Sequence, residues 1–138
     1  MSGAPDANLG EARRWLKQAH ANLASARCLG DGRLWAQGCF FCQQAAETAL
    51  KAILIRAGER DLRTHSTARL IKRAIAYESA FEKFLEDTPL LDRHYVGTRY
   101  PNGISDELTG IWEEKDFRHA QVAAAAIVER AERILSGA

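Results

Sequence analysis

Only three cysteines occur in the 138 residues of this chain. An odd number cannot pair fully within one chain, so the disulfide framework of small secreted domains is excluded. Prolines are equally few, at positions 5, 89 and 101, which leaves long stretches able to run as helix. No stretch approaches the roughly 18 consecutive apolar residues of a membrane-spanning helix. Met1 to Gly10 holds no basic cluster followed by an apolar core, and so does not read as a secretory signal. No glycine-rich phosphate loop and no Gly-x-Ser-x-Gly turn is present, which removes two common catalytic signatures. What remains is ordinary for a folded domain: 46% hydrophobic residues, 27% charged and a net charge of +1. Disorder is excluded by that balance. The expectation is a single domain over residues 1–138, with a tail over about 1–8, no membrane association and a cytoplasmic location.

The small net charge hides an asymmetry. From Glu11 to Arg73 there are twelve Lys and Arg against five Asp and Glu, a balance of +7. From Ala74 to Ala138 the count is seven against twelve, a balance of −5. Either the halves neutralise one another within the fold, or the basic half serves an anionic partner. Residues 51 to 73 alone hold seven basic groups and two acidic ones, with His65 among them.

Apolar residues recur at helical spacing, and no run alternates over strand length. Ala12, Trp15, Leu16, Ala19, Leu23 and Ala26 form one stripe, with Asn8 and Glu11 placed as an N-cap and its reciprocal acid, and Gly30 and Gly32 as terminators. A second helix is predicted from Leu34 to Arg56, capped by Gly58, with alanines at 45, 46, 49 and 52 that allow close approach of another helix. A third starts near Ser66 or Thr67 and continues, or breaks and resumes, through Phe81 and Leu85. A short fourth follows Thr88-Pro89 to about Val96, because proline is tolerated in a first turn. Residues 98–114 read as a long loop, and a final helix begins at an Asp116 cap and closes at Gly137. The fold class is all-α, an up-and-down antiparallel helical bundle of four main helices plus one short one, its two long early helices antiparallel.

Cys39 and Cys42 have the spacing of redox and zinc sites, yet they lie inside a predicted helix on its apolar face. Packed, reduced thiols are the expectation. Histidines 20, 65, 94 and 119 share no helix face with metal spacing, so no metal ligand and no cofactor is expected. Glu47 and Lys51 stand in the favourable order for a surface pair four residues apart. In His94-Tyr95-Val96-Gly97-Thr98-Arg99-Tyr100-Pro101 an arginine sits between two tyrosines. Its planar fork suits phosphate and the rings suit a nucleobase. The same residues could plug the end of the bundle, and composition does not choose between the two.

Trp15-Leu16-Lys17-Gln18-Ala19, then Cys42-Gln43-Gln44-Ala45-Ala46-Glu47-Thr48-Ala49-Leu50-Lys51-Ala52, then His65-Ser66, and finally Arg99-Tyr100-Pro101 together resemble the HEPN domain family. The name stands for higher eukaryotes and prokaryotes nucleotide-binding. The variant at the C-terminus of sacsin and in stand-alone bacterial proteins is the one resembled most, from about Glu11 to Leu135. The resemblance implies a helical bundle, a homodimer, and binding of a nucleotide or other phosphate-rich ligand. By position Lys51, His65, Tyr95, Arg99 and Tyr100 inherit that role. Another branch of the family comprises metal-independent ribonucleases and toxins with Arg and His four to six residues apart on a late helix. Here Arg60 with His65 and Arg14 with His20 have such spacing, but in an early loop and on the first helix, and no histidine follows Arg99 within that segment. A non-catalytic binding and dimerisation module with no catalytic residue is therefore the leading expectation. The alternatives are a metal-independent endoribonuclease or a purely structural dimerisation domain, the last working beside a nucleotidyltransferase-like or chaperone partner.

Overall fold

The computed structural model describes residues 3–97 and 112–137. Within them the apolar periodicity becomes five α-helices and one 3-10 helix, with no strand among the described residues. They are α1 (Gly3–Asp31), α2 (Trp35–Arg56), α3 (Thr67–Ile75), the 3-10 helix Ser79–Phe84, α4 (Asp87–Gly97) and α5 (Glu114–Ser136). The chain is all-α, a helical bundle as expected. No helix is long and apolar enough to cross a membrane among the described residues.

α2 is the axis of the molecule. Every residue from Ala45 to Ile55 is buried, and α1, α3, α4 and α5 all pack on it. Ala45, Ala46, Ala49 and Ala52 are fully buried, and their small size lets neighbouring backbones come close. Ala26 meets Gly38, Asn22 bonds Thr48, and Trp15 lies beneath Lys51, so α1 runs antiparallel to α2. The pairings Gly30 with Phe117 and His20 with Glu132 set α5 antiparallel to α1 as well.

Several helix ends differ from expectation. α1 begins at Gly3, so residues 3–8 are helix and not tail, with Pro5 in the first turn where a missing N–H breaks no bond. Asn8 is therefore not a cap; its side-chain oxygen accepts from Arg60 Nη2 at 2.7 Å. The left-handed residue after α1 is Arg33, at φ 63°, and not a glycine. Gly30 and Gly38 serve another purpose: the Phe117 ring occupies the space a Cβ would need on both, 2.7 Å from its ideal position at Gly38. The cap of α5 is Glu113, with Asp116 three residues on returning a bond to the Glu113 N–H at 2.8 Å. Other ends match closely. Ser66 caps α3 by accepting from Arg69 N at 3.1 Å, α4 starts at Asp87, two residues before the expected Pro89, and Gly58 and Gly137 take left-handed backbone at φ 97° and 76°. The expected loop over 98–114 lies mostly outside the described residues.

Cys39 and Cys42 are fully buried in apolar surroundings as free thiols. Burial pushes both thiols up to about 12, with Cys42 adding to the effect on Cys39, so neither is a ready nucleophile.

Candidate functional site

A stripe of polar side chains, Gln43, Glu47 and Lys51, recurs every four residues along α2. Because α2 is enclosed, the stripe is enclosed too: Glu47 and Lys51 are each 5% exposed. The expected surface pair is thus a buried one, with Lys51 Nζ 2.9 Å from Glu47 Oε2. Removing two charges from water costs several kcal/mol per ion, so such a pair persists only when its remaining bonds are filled. Here they are filled from three directions. His65 Nδ1 reaches the same Glu47 Oε2 at 3.3 Å. The other oxygen, Oε1, accepts from Gln44 at 3.2 Å and from Gln43 at 3.4 Å. Lys51 Nζ lies 5.9 Å from the Trp15 ring centre, within cation–π range.

The connection from α2 to α3 is tied to this cluster. Gln43 Nε2 donates to the His65 carbonyl at 2.8 Å. Asp92 on α4 accepts from Thr67 N at 2.7 Å, Ala68 N at 3.1 Å and the Ser66 hydroxyl at 2.9 Å, and it lies 2.6 Å from the Thr67 hydroxyl. A carboxylate at a helix N-terminus satisfies orphan N–H groups and complements the helix dipole. α4 also supplies Tyr95, whose ring stacks on His65 at 4.6 Å and 15°, with Phe40 of α2 at 6.1 Å on Tyr95. The His65 side chain remains 54% exposed, and its Nε2 makes no hydrogen bond among the described residues.

Beside His65 in the chain, Asp61, Arg63, Thr64, Arg69 and Arg73 line an open depression of about 580 Å³. Asp61 binds Arg63 at 3.1 Å, and Glu59 holds Arg73 at 2.5 Å while accepting from Tyr77 at 2.7 Å. Those bonds from Arg73 and then Tyr77 keep the Glu59 carboxyl below its ordinary range. The Arg69 guanidinium makes no hydrogen bond or ion pair among the described residues.

Of the residues expected at the site, Lys51, His65 and Tyr95 come together in one cluster. Arg99 and Tyr100 lie outside the described residues. Gln43, Glu47 and Asp92 are additions. Their signal in the sequence was the polar four-residue stripe of α2, and for Asp92 there was none. Neither Arg–His spacing assembles a pair: Arg60 bonds Asn8 on α1, and His20 binds Glu132 on α5 at 2.9 Å. No cluster of His, Cys, Asp and Glu able to hold a metal ion occurs among the described residues.

A helical bundle with a polar cluster set between its central helix and a short returning pair defines the class of small all-α domain. The chain belongs to the HEPN family, whose domain model matches residues 12–136. Its structure is similar to the crystal structure of TT1696 from Thermus thermophilus, at 30% identity and a TM-score of 0.81, covering 88% of this chain and 96% of that one. It is also similar to ST0689, described as an archaeal HEPN homologue, at 28% identity and a TM-score of 0.73, covering 90% and 97%. No curated protein matches the chain significantly.

Proposed function

We propose that this HEPN domain is a non-catalytic module that binds a nucleotide or other phosphate-rich ligand at the junction of α2 and α3, and that it works as a homodimer. The observation that carries the reading is the depression lined by Arg63, Arg69 and Arg73, in which Asp61 answers Arg63, Glu59 answers Arg73 and Arg69 is left without a carboxylate among the described residues, next in the chain to His65. Arg69 offers a guanidinium fork to phosphate oxygens, and Thr64 a hydroxyl. In its doubly protonated form His65 offers Nε2–H, the ring held in place because Glu47 takes Nδ1–H, while its stack on Tyr95 extends to a base. Lys51 acts through Glu47: it neutralises the carboxylate that presents His65. Arg99 and Tyr100 belong to the same proposal as a further cation and a further ring directly after α4. A second line of support is the way the charges pair. A single ion pair, His20 with Glu132, joins the basic and acidic halves among the described residues, so among these residues direct contacts with the acidic half do not answer the basic surplus.

Calorimetric titration with ATP, GTP and a short single-stranded RNA tests this. The expected result is saturable binding that weakens about tenfold in Arg69→Ala, the loss of one charge-assisted bond, and weakens again as salt rises. Absence of binding by all three would leave the purely structural reading. Metal-independent RNA cleavage that is lost in His65→Ala would replace it with the ribonuclease.

A further inference from the structure

Three of the seven cations in the acidic C-terminal half meet at one place. Lys83 from the 3-10 helix and Arg130 and Arg133 from α5 line a depression of about 220 Å³, together with Phe84, Ala126 and Glu129. The grouping is not explained by internal pairing. Glu129 binds Arg133 at 2.8 Å, so one cation is answered. Lys83 lies over the Phe84 ring, its Nζ 5.2 Å from the ring centre, and takes no carboxylate among the described residues. Arg130 is half-buried and makes no hydrogen bond or ion pair among the described residues. Arg130 and Arg133 stand three apart on one helix and so share a face, where like charges repel. Phe84, itself buried, adds apolar surface to the lining, and Ala126 adds little bulk. An apolar wall lowers the local dielectric and strengthens any charge contact made there.

We infer that this depression is a second anion site, separate in every residue from the α2–α3 junction, and that it takes the dianionic phosphoryl group of a small ligand. Its volume of about 220 Å³ accommodates a phosphoryl group with a few further atoms. Arg130 supplies a planar two-pronged contact and Lys83 a point charge, while Glu129 keeps Arg133 turned as the third wall.

Titration with inorganic phosphate at constant ionic strength, followed by the backbone amide spectrum, tests the inference. Shifts centred on Lys83, Ala126 and Arg130 should saturate. They should weaken about tenfold in Arg130→Ala and in Lys83→Ala, and stay unchanged in Arg69→Ala. Glycerol phosphate separates the two sources of the group: tighter binding than phosphate assigns an ester, equal binding assigns the free ion. Shifts that never saturate, or that saturate alike in Arg130→Ala, would overturn the site.

Discussion

Glu47 carries two basic groups on one carboxylate oxygen, Lys51 at 2.9 Å and His65 at 3.3 Å, in a position almost closed to water. Removing Lys51 leaves a buried carboxylate with only the half-exposed His65 and two amides to answer it, whereas removing both charges leaves a neutral pair to repack. Lys51→Met should therefore cost about 3–5 kcal/mol in urea denaturation, and Glu47→Gln with Lys51→Met should recover most of the loss. A double variant as unstable as the single one would show that the charge is not the cause. The spacing of Glu47 and Lys51 was legible in the sequence, and so was their pairing. Their burial was not, because one helix does not reveal that neighbours enclose its polar stripe. His94 makes a second residue-scale case. Its Nδ1 accepts from Trp112 Nε1 at 2.8 Å, which requires that nitrogen to be bare. Desolvation chiefly, aided by Arg93, lowers the imidazole to about 4. The unfolded chain takes up the proton first, near the ordinary value of about 6.5, so the fold keeps its full stability above that pH. Stability should then fall as pH drops from about 6.5 towards 4, by up to about 3 kcal/mol from this group. In His94→Gln, which retains an acceptor, that part of the slope should vanish from a pH series of denaturation curves.

At the scale of elements, α3 depends on a residue from α4. Asp92 meets two backbone N–H groups and two hydroxyls at the α3 N-terminus, while Ser66 supplies the local cap. Asp92→Ala should cost about 2–3 kcal/mol, more than the roughly 1 kcal/mol of an ordinary cap, since a charged acceptor is lost. Amide exchange in α3 should accelerate in the same variant, and exchange unchanged from the parent would contradict the role. Some ends set by neighbours in sequence were legible: the start of α3 at Ser66, Gly58 after α2 and Gly137 after α5, whereas the caps expected at Asn8 and Asp116 were not. Asp92 lies twenty-five residues from Thr67, and no local pattern announces a cap supplied from another helix. The same limit explains the misplaced glycines. Gly30 looked like a terminator because glycine tolerates left-handed backbone, but its role is to admit Phe117 from α5, and Arg33 takes the strained conformation instead.

For the whole molecule, the helical class followed from periodicity alone, but the central place of α2 required contacts no pattern carries. The candidate site draws on α2, the connection after it, α3 and α4, so the sequence showed its charge without its assembly. Lys51, read as a phosphate ligand, is held by Glu47. The expected homodimer should appear in sedimentation as a species of twice the chain mass at micromolar protein, and a monomer throughout would contradict it. Central to the account is that the basic surplus of the first half serves a phosphate-bearing ligand at the α2–α3 junction. A crystal structure of the protein grown with a nucleotide tests that most directly. The account predicts phosphate oxygens bonded to Arg69 and Arg63, with the base extending the stack of His65 and Tyr95. Nucleotide bound elsewhere on the molecule, with the depression between Asp61 and Arg73 unchanged, would contradict it.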